Sequence, residues 1–312
     1  MRALSITADA TLHRAEVPEP VPADGEILID VTAAGINRGD LAQVAGSYPP
    51  PPGASSLPGL EISGHRRDTG EAVVALLAGG GYAETVAVPE AQVLPAPEGL
   101  DLVDAGGLIE VAATVVSNLH LEAGLTAGET VLIIGGTGGI GTAAIQVASL
   151  LGARVLTTVG SDGAVEAARE LGADLAWNRH TTDLPAVIDA EGGVDVILDV
   201  VGGPDLSRNV RLLREHGRLV VIGTIGGSRG ELDVRQLMMR RARVIGTTLR
   251  SRAVEDKARI LQATQELLWP AIADGRFTLP VHARLPLEDG ARGQEILQAG
   301  GHLGKVILQV RP

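Results

Sequence analysis

The stretch Thr130–Leu151, TVLIIGGTGGIGTAAIQVASLL, decides the fold. Val131, Leu132, Ile133 and Ile134 make an apolar run suited to a buried strand. A glycine-dense turn follows, then a small-residue helix with Ile140, Ala144, Val147, Ala148 and Leu151 on one face. Gly136, Gly138 and Gly141 fit the spacing G-x-G-x-x-G, with Thr137 and Gly139 inside the turn. Between a strand and a helix, that spacing predicts a dinucleotide site. The first glycine allows the tight turn, the second lets backbone approach a pyrophosphate, and the third lets the helix pack closely. Phosphates would then rest on the free N–H groups of the helix N-terminus. No Lys-Ser/Thr pair follows the glycines, which argues against a P-loop.

Outward from this turn, residues 102–249 alternate strand and helix patterns. RVLTTV, DLAWN, VDVILDVV, RLVVIGTI and RVIGTTL read as largely apolar strands, which predicts a parallel sheet covered on both faces. AVEAARELGA and LSRNVRLLREHG read as helices, with Gly152, Gly172 and Gly217 at helix-ending positions. Before residue 102 the chain is mostly strand with glycine and proline corners. Residues 35–64 read as a long loop carrying Pro49 to Pro52, which preclude a regular helix or inner strand. After Leu249 come a long helix at about 253–273, a short strand, a helix near 287–299 and the closing strand KVILQV. An economical division is a discontinuous first domain, residues 1–112 and 250–312, with a Rossmann domain inserted at 113–249. The general rule for open α/β sheets places the ligand beyond the strand C-termini.

Composition narrows the chemistry. With 312 residues the chain can form two domains with sizeable cores. It has no cysteine, which removes disulfides, thiol catalysis and thiolate metal sites. A net charge of −12 argues against nucleic-acid or anionic-membrane partners. No run approaches the ~18 apolar residues of a membrane span, and no apolar signal core opens the chain, so a cytoplasmic enzyme is expected. The seven histidines are scattered without ligand spacing.

The second strand points to the cofactor. In NAD enzymes an acidic residue at its end binds the ribose hydroxyls. Here the strand ends at Val159 and Gly160, with Ser161 next. Asp162 remains within reach of a ribose, but the small neutral strand end favours a 2′-phosphate. Ser161 would donate a hydrogen bond to it, and Arg179, after the third strand, would supply a forked charge. NADPH is therefore the expected cofactor.

The chain resembles the medium-chain dehydrogenase/reductase superfamily, and within it the zinc-free NADPH:quinone oxidoreductases. The resemblance is carried by residues 35–65 (GINRGDLAQVAGSYPPPPGASSLPGLEISGH), 75–90 (ALLAGGGYAETVAVPE), 133–148 (IIGGTGGIGTAAIQVA), 198–203 (LDVVGG) and 249–252 (LRSR). It implies a Rossmann doubly wound sheet inserted into a GroES-like, mostly-β catalytic domain. The zinc branch's ligand positions fall at Asn37, Leu60 and near Val111. Only the neighbouring Glu61 would ligate zinc well, so no metal is expected.

Without a metal to polarise a carbonyl, the favoured acceptor is a quinone or an alkene conjugated to a carbonyl. The cofactor supplies the hydride and the protein positions it. Tyr48 is the candidate phenol, able to stack on a planar acceptor or donate a hydrogen bond. Asn37 would orient the acceptor oxygen or the nicotinamide-side ribose. By resemblance, Thr114 faces the nicotinamide, and Gly138, Gly139 and Ile140 form the pyrophosphate turn. Val200 and Gly202 follow the fourth strand, and Gly223 and Thr224 the fifth. Leu249, Arg250 and Ser251 would close over the cofactor. Gly163, Ala164 and Arg179 depart from the family's usual residues, so either Arg179 compensates or the preference for NADP is weakened. The segment HRRDTGEAVVALL is shorter than in the family, trimmed to a turn at Thr69–Gly70 that would reshape the substrate entrance. An enoyl-thioester reductase, using Tyr48 as acid, is the alternative enzyme. A weakly active NADPH-binding regulatory or structural protein is the alternative of another class. A homodimer through the ARVIGTTL sheet edge is expected by analogy.

Replacing Gly138 with Val is expected to abolish nucleotide binding in a fluorescence titration while circular dichroism stays unchanged. Normal binding would refute the pyrophosphate turn.

Overall fold

The computed structural model describes residues 1–311, which form two compact units. One is built from Met1–Ala113 and Leu249–Pro312, the other from Thr114–Thr248.

The second unit is a six-stranded parallel sheet. Its spatial order is Leu175–Asn178, Arg154–Val159, Thr130–Ile134, Val194–Asp199, Leu213–Val221 and Arg243–Gly246. The sheet order reverses around the Thr130 strand, the topological switch point at which open α/β sheets bind ligands. Thr130–Ile134 is buried at every position, as a central parallel strand must be. Leu132, Leu156, Ile197 and Leu219 run across the sheet and pack on Ile188 and Val210 from the helices.

Two expectations for this unit are revised. The helix after Gly203 covers only Leu206–Leu212, and Gly217 lies inside the strand Leu213–Val221 instead of ending a helix. The strand register shifts between Val194 and Val196, and His216 takes φ 64°. The residues LREHG are thus drawn into an irregular strand start that the helical period did not show. Residues 184–190 form a helix absent from the pattern reading, begun by Asp183, whose carboxylate accepts the Ala186 N–H.

The first unit is a GroES-like β-fold. Its seven-stranded sheet runs Val281–Pro286, Lys305–Gln309, Glu26–Gly35, Glu61–Arg66, Ala72–Leu76 and Val93–Pro95, with Thr85–Pro89 also pairing to Glu26–Gly35. Arg2–Ile6 and Leu12–Glu16 form a separate hairpin. Ile29, Val31, Ile62, Val73, Val306 and Leu308 make the core. The chain turns at Thr69–Gly70 as expected: Gly70, at φ +76°, donates to Arg66 O, and Arg66 N donates to Glu71 O. The later part supplies the long helix Val254–Ala273 and the helix Gly290–Ala299.

The segment 35–64 is more ordered than a loop. Asn37 caps a helix at Arg38–Val44, and the Asp40 carboxylate accepts the Asn37 N–H at 2.8 Å. Asp40 is fully buried and also accepts from Gly59 N at 3.0 Å and from the Tyr82 hydroxyl at 2.9 Å. One carboxylate thereby ties both ends of the proline loop to the sheet. Burial pushes the Asp40 carboxyl up to about 6, against the lowering effect of its hydrogen bonds.

Because the folded value lies above the unfolded one, the folded chain holds the extra proton between about pH 4 and pH 6. Stability is therefore expected to fall as pH rises through that window, by up to about 3 kcal/mol, and to level off above it. Urea denaturation across pH 4–7 checks this, with Asp40→Asn expected to lose that slope.

Candidate functional site

The glycine turn carries its three residues for three separate steric reasons. A side chain at Gly141 would stand 2.0 Å from Gly135 O, so only glycine lets the helix Gly139–Leu150 start against the turn. At Gly136 an added Cβ would stand 2.4 Å from Thr157 Oγ1 on the neighbouring strand. At Gly138, the cap of the helix, nothing lies within 4 Å. Its outer side is the open face on which a pyrophosphate could approach backbone. The left-handed residue of the turn is Gly135, at φ +90°, not Gly136. The sequence spacing hid this, because Gly135 lies one place ahead of the motif. Thr137, Gly139 and Ile140 complete the helix entrance.

Beside the turn, the second strand ends at Val159. A Cβ on Gly160 would lie 3.7 Å from the Arg179 guanidinium, and Arg179 N donates to Val159 O at 3.0 Å. Arg179 makes no ion pair among the described residues. Ser161 is exposed next to it. Asp162, the alternative ribose acceptor, accepts from Asn178 Nδ2 at 2.8 Å. Its carboxylate is engaged with the third strand.

At the switch point, Gly202 takes φ +86° and packs against Gly223, leaving 2.7 Å between a Gly202 Cβ and Gly223 O. Asp199 shapes this turn and escaped the motif reading. It is fully buried, accepts the Val201 and Gly202 N–H groups, and takes Asn209 Nδ2 at 3.0 Å. Burial raises its carboxyl despite those bonds. Val200 and Thr224 flank the same turn. Thr114, largely buried, gives its carbonyl to Ser117 and Asn118, and Asn118 accepts from Thr247 Oγ1 at 2.6 Å.

The first unit holds Asn37, Tyr48, Leu249, Arg250 and Ser251. Asn37 stands in a buried polar cluster that the sequence reading did not assemble. Its Nδ2 donates to Glu61 Oε1 at 2.8 Å, and its Oδ1 accepts from Lys305 Nζ at 2.6 Å. Lys305 Nζ also donates to Glu61 Oε1 at 2.7 Å and to Ile36 O at 3.1 Å, which uses its three protons. The other Glu61 oxygen accepts the Glu110 N–H at 2.9 Å. Glu61 is 0% and Lys305 2% exposed. The Asn37 amide is thus committed at both ends and positions Glu61 and Lys305. The only sequence trace of Lys305 is a lone charge opening an apolar strand.

The positions that match zinc ligands elsewhere do not fit a zinc ion here. Leu60 and Val111 offer no donor, and the Lys305 ammonium already lies on the oxygens of Asn37 and Glu61. Among the described residues, no group of three or more histidine, cysteine or acidic side chains could hold a metal.

Tyr48 is half-buried, and Arg250 fixes it. The guanidinium carbon lies 5.1 Å from the ring centroid, and Arg250 Nη1 donates to Tyr48 O at 2.9 Å. The same side chain donates to Ala78 O and to Gln43 Oε1. Burial raises the Tyr48 phenol, with the Arg250 charge opposing it, so the hydroxyl stays protonated at neutral pH. Leu249 packs beside Leu76 and Ile109.

Comparison with known proteins sets these two units in a class. Residues 23–98 match the alcohol dehydrogenase GroES-like domain, and residues 139–266 match the domain called zinc-binding dehydrogenase. The chain belongs to the medium-chain dehydrogenase/reductase superfamily. Its place there is the quinone oxidoreductase branch. It is 30% identical to the quinone oxidoreductase of Mus musculus over 95% of this chain and 92% of that one. It is similar to the Thermus thermophilus quinone oxidoreductase, solved alone and with NADPH, at 30% identity and TM-score 0.87, covering 99% of this chain and all of that one. A solved NAD-dependent alcohol dehydrogenase is 27% identical with TM-score 0.86, each chain covered completely.

Breaking the Glu61–Lys305 pair from either side, by Glu61→Gln or Lys305→Met, is expected to cost about 3–5 kcal/mol in urea denaturation. The double variant Glu61→Leu with Lys305→Met is expected to cost less than the two single changes summed. Single costs under about 1 kcal/mol would show that the pair is not structural.

Proposed function

We propose that this chain is an NADPH-dependent reductase that delivers hydride to a quinone or a similar conjugated carbonyl compound. The observation that carries the cofactor half is the Arg179 guanidinium, beside a second-strand end that has no carboxylate and with no ion partner among the described residues. A 2′-phosphate would give it a partner through a forked contact. The solved Thermus relative was obtained with NADPH, which supports the same reading. Gly138, Gly139 and Ile140 would hold the pyrophosphate on the helix N-terminus. Gly136, Thr137 and Gly141 shape the turn, and Ser161 adds a hydrogen bond. Thr114, Val200, Gly202, Gly223, Thr224, Leu249, Arg250 and Ser251 would complete the cofactor contacts.

Bound there, NADPH supplies the hydride. The chain's own residues orient the acceptor. Tyr48 presents a protonated phenol whose ring and main chain are held by Arg250, which suits it to stack on a planar acceptor or donate to its oxygen. Asn37 is hydrogen-bonded to both Glu61 and Lys305 and holds that cluster in place. Naming of the curated relatives as quinone oxidoreductases supports the acceptor class.

The protein is proposed to act in the cytoplasm as a homodimer. No helix of the described residues is long and apolar enough to cross a membrane. The sheet of the second unit ends on Arg243–Gly246, paired on one side only, with Val244, Met238 and Met239 exposed near it.

Steady-state oxidation of NADPH with 1,2- and 1,4-quinones and with an enoyl-CoA tests the acceptor. Turnover is expected with quinones. Tight NADPH binding with no quinone turnover would overturn the proposal. Arg179→Ala is expected to raise the KM for NADPH about tenfold or more and leave that for NADH nearly unchanged. Equal effects on both cofactors would remove the 2′-phosphate role.

A further inference from the structure

The first unit contains a cavity of about 550 Å³, within the range of small-molecule sites. Leu57, Leu77, Val86, Val88 and the prolines Pro51 and Pro52 give it apolar walls. Lys257, in the first turn of the helix Val254–Ala273, lines it and is 3% exposed. Three effects disfavour a cation there. Burial removes water, the Arg250 guanidinium lies nearby, and the N-terminal end of a 20-residue helix repels positive charge. The first two hold the Lys257 amine below its usual range.

No acid offsets them. No ion pair or hydrogen bond to Lys257 Nζ is made by the described residues. The acids of its own turn are used or turned away: Asp256 pairs with Arg259, and Glu255 is exposed. Arg250, also on the cavity wall, is spent on three neutral oxygens of Ala78, Tyr48 and Gln43. The single acid on the wall, Glu26, accepts the Ala23 N–H.

We propose that this cavity binds a small organic anion, a carboxylate on an apolar body, with the carboxylate on Lys257 Nζ. A carboxylate there meets an unpaired ammonium, a neighbouring guanidinium and the favourable end of a helix at once. The apolar walls would cover the rest of the molecule. The site is built wholly from the first unit, and Arg250 and Ser251 on its wall are shared with the proposed cofactor contacts.

Calorimetric titration of the full chain with benzoate, benzamide and inorganic phosphate tests this. Benzoate is expected to bind with one site per chain. Benzamide, which has the same shape without the charge, and phosphate, which has charge without the apolar body, are expected to bind at least tenfold more weakly. Lys257→Met is expected to weaken benzoate at least tenfold, whereas Lys257→Arg retains it. Equal binding of benzamide would overturn the role of charge, and equal binding of phosphate would overturn the role of the walls. No benzoate binding at millimolar concentration, or unchanged binding in Lys257→Met, would overturn the site. Should Lys257→Met fail to fold, the ligand comparison on the unaltered chain still decides.

Discussion

Glu61 and Lys305 lie 2.7 Å apart with almost no exposure, and the geometry of the first unit is arranged around them. A buried charge is costly unless paired and hydrogen-bonded on every side. Here that condition is met by atoms from across the chain: Ile36 O, Asn37 Oδ1 and Nδ2, and the Glu110 N–H. Gly35 is required by the same cluster, since a Cβ there would stand 2.2 Å from Glu61 Oε1. The pair therefore fixes the closing strand, the strand that begins GLEISGH and the exit of Glu26–Gly35 relative to one another. In this chain an ammonium on a strand supplies the positive charge.

The neighbouring carboxylate, Asp40, does a related job for the Tyr48 loop. It has no cationic hydrogen-bond partner, only three donors, and burial leaves its carboxyl raised. Arg250 closes the loop from the far end of the sequence, by way of Tyr48 O, Ala78 O and Gln43 Oε1. The proposed acceptor site thus rests on a loop without regular structure over its prolines, held by a few fully satisfied polar groups. Its rigidity comes from hydrogen bonds that Asp40 and Arg250 make to main-chain atoms, with the Tyr82 hydroxyl and the Gln43 amide as their side-chain partners.

The second unit depends on the opposite strategy. Its strands are apolar and its turns are glycine, so helix, turn and sheet approach until backbone meets backbone. Contacts near 2 Å for an added Cβ at Gly141 and Gly203 show how little room remains. Asp199 is one of its buried polar groups, holding two main-chain N–H groups where the chain leaves the fourth strand.

Much of this was legible from sequence. Period determined the parallel sheet and glycine spacing the strand–turn–helix at its centre, while the resemblance of several segments to a known family implied the GroES-like unit. The helix at 38–44 was hidden behind prolines and glycines that mark its surroundings, although its Asn37–Asp40 cap is written in the chain. The strand Leu213–Val221 was hidden by a register shift, which no periodicity records. What only the tertiary structure decided is which distant groups meet. Asn37, Glu61 and Lys305 are brought together from two ends of the sequence, Tyr48 is joined to Arg250, and Lys257 is left buried without an acid. Such pairings are set by strand order and packing, and burial then turns ordinary charged residues into the strongest local forces in the fold.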